Sequence, residues 1–435
     1  METAALATIV LLGGFALLMI LKVPISFALL SATLLSALVN GTNLTVMVNQ
    51  MVDGFSNFTL LAIPFFILMG EFMNAGGISE KIVDLANLLV GRFRGGLAYV
   101  NCLDSMLFGH ISGSAVADVS SLGSVVVPMM KKQGYSPEFS VALTVTTSCQ
   151  GVLIPPSHNM VIFALATGGL VNIEHLLMAG LLPGVMLGVA LMILCFFMAG
   201  KYNFPRGVSV PKGERFKVVI HAILPMFTLV IVMGGVAAGV FTVTESSAFA
   251  CLYTFLITYL IFRSAKLRDI GKVLKNTLKT LAVVLTLIGT AKAFAYMMTD
   301  LRIPDQMTAL LLSITNNKYI LLLIINVLLL LLGCFMDMAP LIMIMTPILL
   351  PVVMSPIIGM NPMQFGVMLI FNLAMGLCTP PVGSALFVGC AVGKTSLEKT
   401  SKAALPMFAM MVIGLLLVTF IPEISLWLPG VLFGK

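Results

Sequence analysis

Two short strings limit what this chain can fold into: Gly151-Val152-Leu153-Ile154-Pro155-Pro156-Ser157 and Gly376-Leu377-Cys378-Thr379-Pro380-Pro381-Val382. Each is a Gly-x-x-x-Pro-Pro run inside an apolar segment of helix length. Proline has no backbone N–H, clashes with the preceding turn and disfavours helix in the residue before it. Two prolines in a row therefore break a helix. In a membrane a break leaves peptide groups that only protein or a water-filled cavity can receive. Two such breaks in one hydrophobic chain point to a binding site near the bilayer midplane.

That the segments are membranous follows from composition. The chain is 59% hydrophobic and only 9% charged, with mean hydropathy +1.10, whereas soluble domains carry about 25% charged residues. The N-terminal stretch Thr3–Leu21 lacks a basic leader and is followed past Lys22 by another apolar segment, so it reads as a retained span and not as a signal peptide. The net charge of +7 comes from basic residues in short loops, which is an orientation signal and not a nucleic-acid surface. The seven cysteines lie in apolar segments without metal-ligand spacing and read as reduced structural thiols.

Spans are expected at 4–21, 23–39 and 58–75, with residues 76–91 as a helix lying in the interface. Lys22 marks the cytoplasmic side. The basic-poor 40–57 loop and both termini then fall on the periplasmic side. Between the basic pairs Arg92/Arg94 and Lys131/Lys132, residues 95–130 are too many for one span and too few for two. A re-entrant hairpin with its tip at Ser112-Gly113-Ser114 fits. A broken helix follows from Ser136-Pro137 to about Leu170, then spans at 176–199, 218–240, 246–262 and 280–298, with charged cytoplasmic loops at 201–217 and 263–279. Thr242-Val243-Thr244-Glu245 has the spacing of a capping box. Residues 319–353 read as a second hairpin with Asp337 at its tip, 366–392 as a second broken helix, and 404–421 as the last span.

The halves repeat at constant offset: Pro362, Gly376 and Pro380 each lie 225 residues after Pro137, Gly151 and Pro155. The charge pattern puts the two hairpins on opposite sides. The expected fold is an all-α polytopic membrane protein with an inverted-topology repeat, two re-entrant helical hairpins and two broken helices, an arrangement typical of secondary transporters. The expected organisation is scaffold and interfacial helices over 1–95, a first repeat over 96–175, scaffold and connecting helices over 176–305, a second repeat over 306–395 and a C-terminal span over 396–435.

Ser112-Gly113-Ser114, Ala117-Asp118 and Pro128-Met129-Met130-Lys131-Lys132 resemble the first hairpin of the large membrane subunit of tripartite ATP-independent periplasmic (TRAP) transporters, the dicarboxylate-transporter M family. Leu153-Ile154-Pro155-Pro156-Ser157, Met336-Asp337-Met338, Thr346–Pro351, Thr379-Pro380-Pro381-Val382-Gly383 and Thr242–Ala248 resemble further blocks of that family, over essentially the whole chain. Val243, Ala115 and Val152 depart from its usual residues. The resemblance implies a sodium-coupled, elevator-type importer of organic acids in the bacterial inner membrane. It also implies a small membrane subunit and a periplasmic substrate-binding protein as partners, and no enzyme activity. Sialic acid, C4-dicarboxylates and keto sugar acids all remain open as cargo.

Sodium takes oxygen ligands, which broken helices supply as freed carbonyls. One ion is expected among Ser112, Ser114, Ser148, Gly151 and Ile154, and a second among Gly333, Asp337, Gly376 and Thr379. The substrate carboxylate is expected at Ser112, Gly113, Ser114, Pro156, Ser157, Asp337, Pro381 and Gly383, where resumed half-helices present their N-termini, with Arg302 at the outer mouth. Asp118 is expected to order the first hairpin through hydrogen bonds, and Glu71, Asp104 and Lys292 to pair inside the bundle or snorkel. His110 and His158 leave proton coupling open as an alternative, as is a transporter that works without a binding protein. An intramembrane hydrolase built on Ser112, His110, His158 and Asp118, or a channel, is a further alternative, but a hydrolase leaves the second half of the repeat unexplained.

Overall fold

The computed structural model describes residues 2–207, 211 and 213–434, without the side chains of Glu2, His110, Ile111 and Ser112. Apolar segments leave the backbone to satisfy its own hydrogen bonds. Among the described residues it does so as helix, apart from one isolated bridge between Arg94 and Arg206.

The first helices are α1 (Glu2–Ile20), α2 (Ile25–Asn40), α3 (Leu44–Phe55), α4 (Ala62–Ala75, entered through a 3-10 turn at Phe58–Leu61) and α5 (Ile78–Val90). A hairpin of α6 (Gly96–Ser112) and α7 (Ala115–Lys132) comes next, then α8 (Pro137–Leu153) and α9 (His158–Ala166). The middle of the chain forms α10 (Ile173–Lys201), α11 (Arg215–Leu229), α12 (Gly235–Ala237), α13 (Val243–Leu256), α14 (Ile270–Asp300) and α15 (Ile303–Ile314). π turns at Val230–Gly234 and Ile257–Ile261 continue α11 into α12 and extend α13. A second hairpin, α16 (Lys318–Gly333) and α17 (Met338–Met354), leads to α18 (Pro362–Leu377) and α19 (Ser384–Gly393). The chain closes with α20 (Leu397–Phe420) and α21 (Glu423–Phe433). Seven helical stretches among the described residues are long and apolar enough to cross a membrane, so the protein is a multi-pass membrane protein.

Four boundaries differ from the sequence expectation. The 40–57 stretch contains α3, because Asn43 accepts the Thr45 N–H as an N-cap and the helix finds a surface on α14. The charged 263–279 segment becomes helical at Ile270, so Lys272, Lys275 and Lys279 stand on α14. Another helix, α21, follows the last expected span and packs on α10. The breaks also start later than expected: Gly151 and Gly376 are still helical, and the interruptions occupy residues 154–157 and 378–383.

The two broken helices are the centre of the core. Every residue from Phe139 to Leu153 and from Gln364 to Leu377 is buried. Each hairpin wraps its own broken helix, α6 and α7 on α8, α16 and α17 on α18. The halves also exchange contacts in a matched way: α19 lies on α7, and α9 lies on α17. Lys131 Nζ, at the end of α7, donates to Gly393 O at 2.5 Å, at the end of α19. Around this unit, α2, α3 and α4 pack on α14, α1 packs on α2 and α13 on α4, while α5 bridges α6 and α11.

Candidate functional site

The site is built by two glycine crossings. A Cβ on Gly151 would lie 2.8 Å from Gly109 Cα, and one on Gly376 would lie 2.7 Å from Gly333 Cα. Backbone therefore touches backbone where each hairpin arm crosses its broken helix, so each tip is delivered onto the adjacent break. At the first, Gly113 (φ +57) sits over the break: Asn159 Nδ2 donates to Gly113 O at 3.4 Å, and a Cβ there would meet His158 Nδ1 at 3.1 Å and Pro156 O at 3.4 Å. At the second, the Gly383 N–H donates to Cys334 O at 3.3 Å. Gly383 has φ +40, and a Cβ on it would approach Thr379 O to 2.7 Å, so glycine is required there. Both Pro-Pro bonds, Pro155-Pro156 and Pro380-Pro381, are cis.

The breaks leave oxygen atoms available. Gly151 O and Val152 O would accept from the residues four ahead, which are Pro155 and Pro156 and have no N–H; Gly376 O and Leu377 O face the same deficit at Pro380 and Pro381. Gly376 O recovers one bond, from the Thr379 N–H at 3.0 Å. The hydroxyls of Ser157 and Ser384, at the start of the two resumed half-helices, are buried and have no hydrogen-bond partner among the described residues. Thr379 Oγ1 donates to Met375 O at 2.7 Å and Ser148 Oγ to Val145 O at 2.7 Å, which leaves both oxygens free to accept or to coordinate a cation. Orphaned buried oxygens and N-terminal ends converging on one place suit a small cation and a carboxylate.

The structure brings together most of the expected residues. Gly113, Pro156 and Ser157 cluster at the first break; Gly333, Gly376, Thr379, Pro381 and Gly383 cluster at the second. The clusters are joined through Cys378, whose sulfur lies 3.2 Å from Cys149 Sγ and from Val145 O. Those two thiols and the other five cysteines are free and buried. Ser114 caps α7, accepting the Ala117 N–H at 3.4 Å, and Asp337 caps α17, accepting the Met338 N–H at 2.9 Å. Ile154 is the residue at which α8 ends. The Ser112 and His110 side chains lie outside the described residues. Arg302 is exposed at a left-handed junction (φ +52) between α14 and α15, and no hydrogen bond or ion pair among the described residues ties its side chain to either tip.

Asp118 is tied into the first hairpin more loosely than expected. Its carboxylate is buried beside Gly151 within reach of the Ser105 side chain, without a close hydrogen bond among the described residues, and Asp104 has no hydrogen-bond partner among them. Hydrogen bonding inside the first hairpin runs instead through neutral groups: Asn101 Nδ2 donates to Thr144 Oγ1 at 2.7 Å and Ser105 Oγ to Thr147 Oγ1 at 3.1 Å. Glu71 accepts from Asn276 Nδ2 at 3.5 Å. Ser384 and Asn159 are the site residues that sequence reasoning missed. The position of Ser384, first in the helix after Pro-Pro-Val-Gly, was the available signal; Asn159 had none, because its partner Gly113 lies 46 residues away.

A sequence profile of the DctM component of the tripartite ATP-independent periplasmic transporter matches residues 12–424. The sialic acid TRAP transporter large permease protein SiaM of Vibrio cholerae is 35% identical over 97% of this chain and 98% of its own. The C4-dicarboxylate TRAP transporter large permease protein DctM of Rhodobacter capsulatus is 33% identical over 98% of this chain and all of its own. Among solved structures, the YdaH transporter of Alcanivorax borkumensis superposes with a TM-score of 0.62 over 86% of this chain and 88% of its own, at 12% identity, a likeness of fold.

Proposed function

The chain belongs to the DctM component family of tripartite ATP-independent periplasmic transporters, and from that premise we propose that it is the large permease subunit of an importer in which a sodium gradient drives uptake of an organic acid. It is a transporter subunit and not an enzyme. Relatives named for sialic acid and for C4-dicarboxylates bracket the class of cargo: small, anionic and polar. A periplasmic binding protein would deliver it and a small membrane subunit would complete the membrane unit. Both termini of this chain would then face the periplasm, in keeping with Lys22 and the other basic loops in the cytoplasm.

The observation that carries this reading is the seating of each hairpin tip on its own break, Gly113 over Pro156 and Cys334 over Gly383. One sodium ion would lie among Ser112, Ser114, Ser148, Gly151 and Ile154, and a second among Gly333, Asp337, Gly376 and Thr379. The Ser157 and Ser384 hydroxyls, which have no partner among the described residues, suit a ligand between the breaks. Because hairpins and broken helices pack mainly on one another, they are suited to move as one body against α1–α4, α13 and α14, with the two halves inverted across the membrane.

The test is uptake into proteoliposomes holding this chain, its small subunit and a cognate binding protein, with labelled organic acids and an imposed sodium gradient. Uptake is expected to follow inward sodium. Thr379→Ala is expected to weaken apparent sodium affinity about tenfold, equivalent to about 1.4 kcal/mol. Uptake that proceeds equally without sodium would overturn the coupling.

A further inference from the structure

A cavity separate from the paired tips lies among the basic-poor ends of the helices. It encloses about 420 Å³, within the range of about 300–1,000 Å³ usual for small-molecule sites. One wall consists of Asn57 and Thr59 ahead of α4, Thr244 at the start of α13, and Lys292 on α14. The opposite wall runs from the end of α9 to the start of α10 and includes Asn172 and Glu174.

Lys292 needs an explanation. It stands eight residues before the end of α14, about 12 Å along the helix axis. An ammonium at that depth is expensive and is normally paired. Lys292 is half-buried and has no hydrogen bond or ion pair among the described residues; Glu174 lines the same cavity without reaching it, since the one ion pair among the described residues is Lys402–Glu398. Lys292 is also the only cation in the lining. The Glu174 carboxylate aside, the remaining polar groups are amides and hydroxyls, which exchange hydrogen bonds with hydroxyl-bearing molecules in either direction.

We propose that this cavity is a second anion site, in which Lys292 holds the carboxylate of a small hydroxylated or dicarboxylic acid while Asn57, Asn172 and Thr244 bond its polar body. The acid class rests on the transport reading above. The site itself lies toward the end where the loops carry few lysines and arginines, the end assigned to the periplasm, and is a holding point for the anion before it reaches the tips.

The experiment uses the purified full chain in lipid nanodiscs, with potassium gluconate, glucuronate or succinate against potassium chloride of equal ionic strength, and reads thermal unfolding. At least one acid is expected to raise the midpoint of the wild type. Lys292→Gln is expected to weaken that effect about tenfold in apparent affinity, or about 1.4 kcal/mol, while Lys292→Arg and Lys402→Gln, an exposed lysine outside the cavity lining, retain it. No shift with any of the three acids, an unchanged response in Lys292→Gln, or an equal loss in Lys402→Gln would each overturn the site. In the wild type, the same acid is expected to protect the Lys292 amine from trinitrobenzenesulfonate in peptide mass spectrometry, and full labelling in its presence counts against the proposal without any variant. Absence of sodium-driven uptake would sink the transport reading and leave this binding measurement standing.

Discussion

At the scale of single residues, the site depends on what is missing from a few positions. Gly109, Gly151, Gly333 and Gly376 have no side chain where backbones cross, and Pro155, Pro156, Pro380 and Pro381 have no N–H where carbonyls must stay available. Gly376→Ala forces its Cβ to within 2.6 Å of Gly333 C, in an interior already closely packed. Overpacking of this kind costs about 1–3 kcal/mol. The variant is therefore expected to unfold at a lower temperature in detergent, while Gly14→Ala, with nothing within 4 Å of its new carbon, stays near wild type. Equal midpoints for the two would show that the second crossing tolerates a side chain. The role of Gly151 and Gly376 was only half legible in the sequence. Their position before Pro-Pro marked the breaks, but the reason for glycine is a crossing partner, and for Gly376 that partner lies 43 residues upstream.

At the scale of elements, α5 shows how an interfacial helix is held. Its apolar face, including Ile78, Ile82, Leu85 and Ala86, is buried against α6 and α11, while Lys81 extends over the Phe262 ring at 4.8 Å. Burial depresses the Lys81 ammonium, against the opposing pull of Glu80 and Asp84. Burial also lifts the Asp84 carboxyl above its ordinary value, and Glu80 and Glu214 add to the lift while Lys81 opposes it. A raised carboxyl favours the folded state while protonated and loses that advantage as pH rises through its folded value. Asp84→Asn is thus expected to raise the thermal midpoint at pH 7, with the gain fading as pH falls toward about 4. A gain that grows on acidification would reverse the assignment. The amphipathic spacing of Ile82, Leu85, Leu88 and Leu89 made α5 visible in the sequence, whereas α3 was not, because the surface it needs is supplied by α14, more than two hundred residues away.

At the scale of the whole molecule, the cavity beside Lys292 lies between the helices around α14 and the unit of hairpins and broken helices. Thr59 lines it from the side of α4 and Leu165 from α9. If the unit of hairpins and broken helices moves, a bifunctional maleimide joining cysteines placed at Thr59 and Leu165 is expected to abolish uptake. A link inside the unit, between cysteines placed at Ser105 and Thr147, whose hydroxyl oxygens lie 3.1 Å apart, is expected to leave uptake largely intact. Full uptake with the first pair crosslinked would rule out relative motion at that boundary.

The sequence alone determined the class of molecule, the two breaks and their repeat, because proline chemistry and membrane hydropathy act locally and leave a signature at the residues concerned. Tertiary structure decided which oxygens remain unpaired among the described residues, that the Ser105 side chain is what Asp118 meets, and that Lys292 faces a cavity. Those outcomes depend on what α6, α10 and α14 place opposite each group, and a hydrogen bond or its absence is a property of two positions that no spacing within one segment encodes.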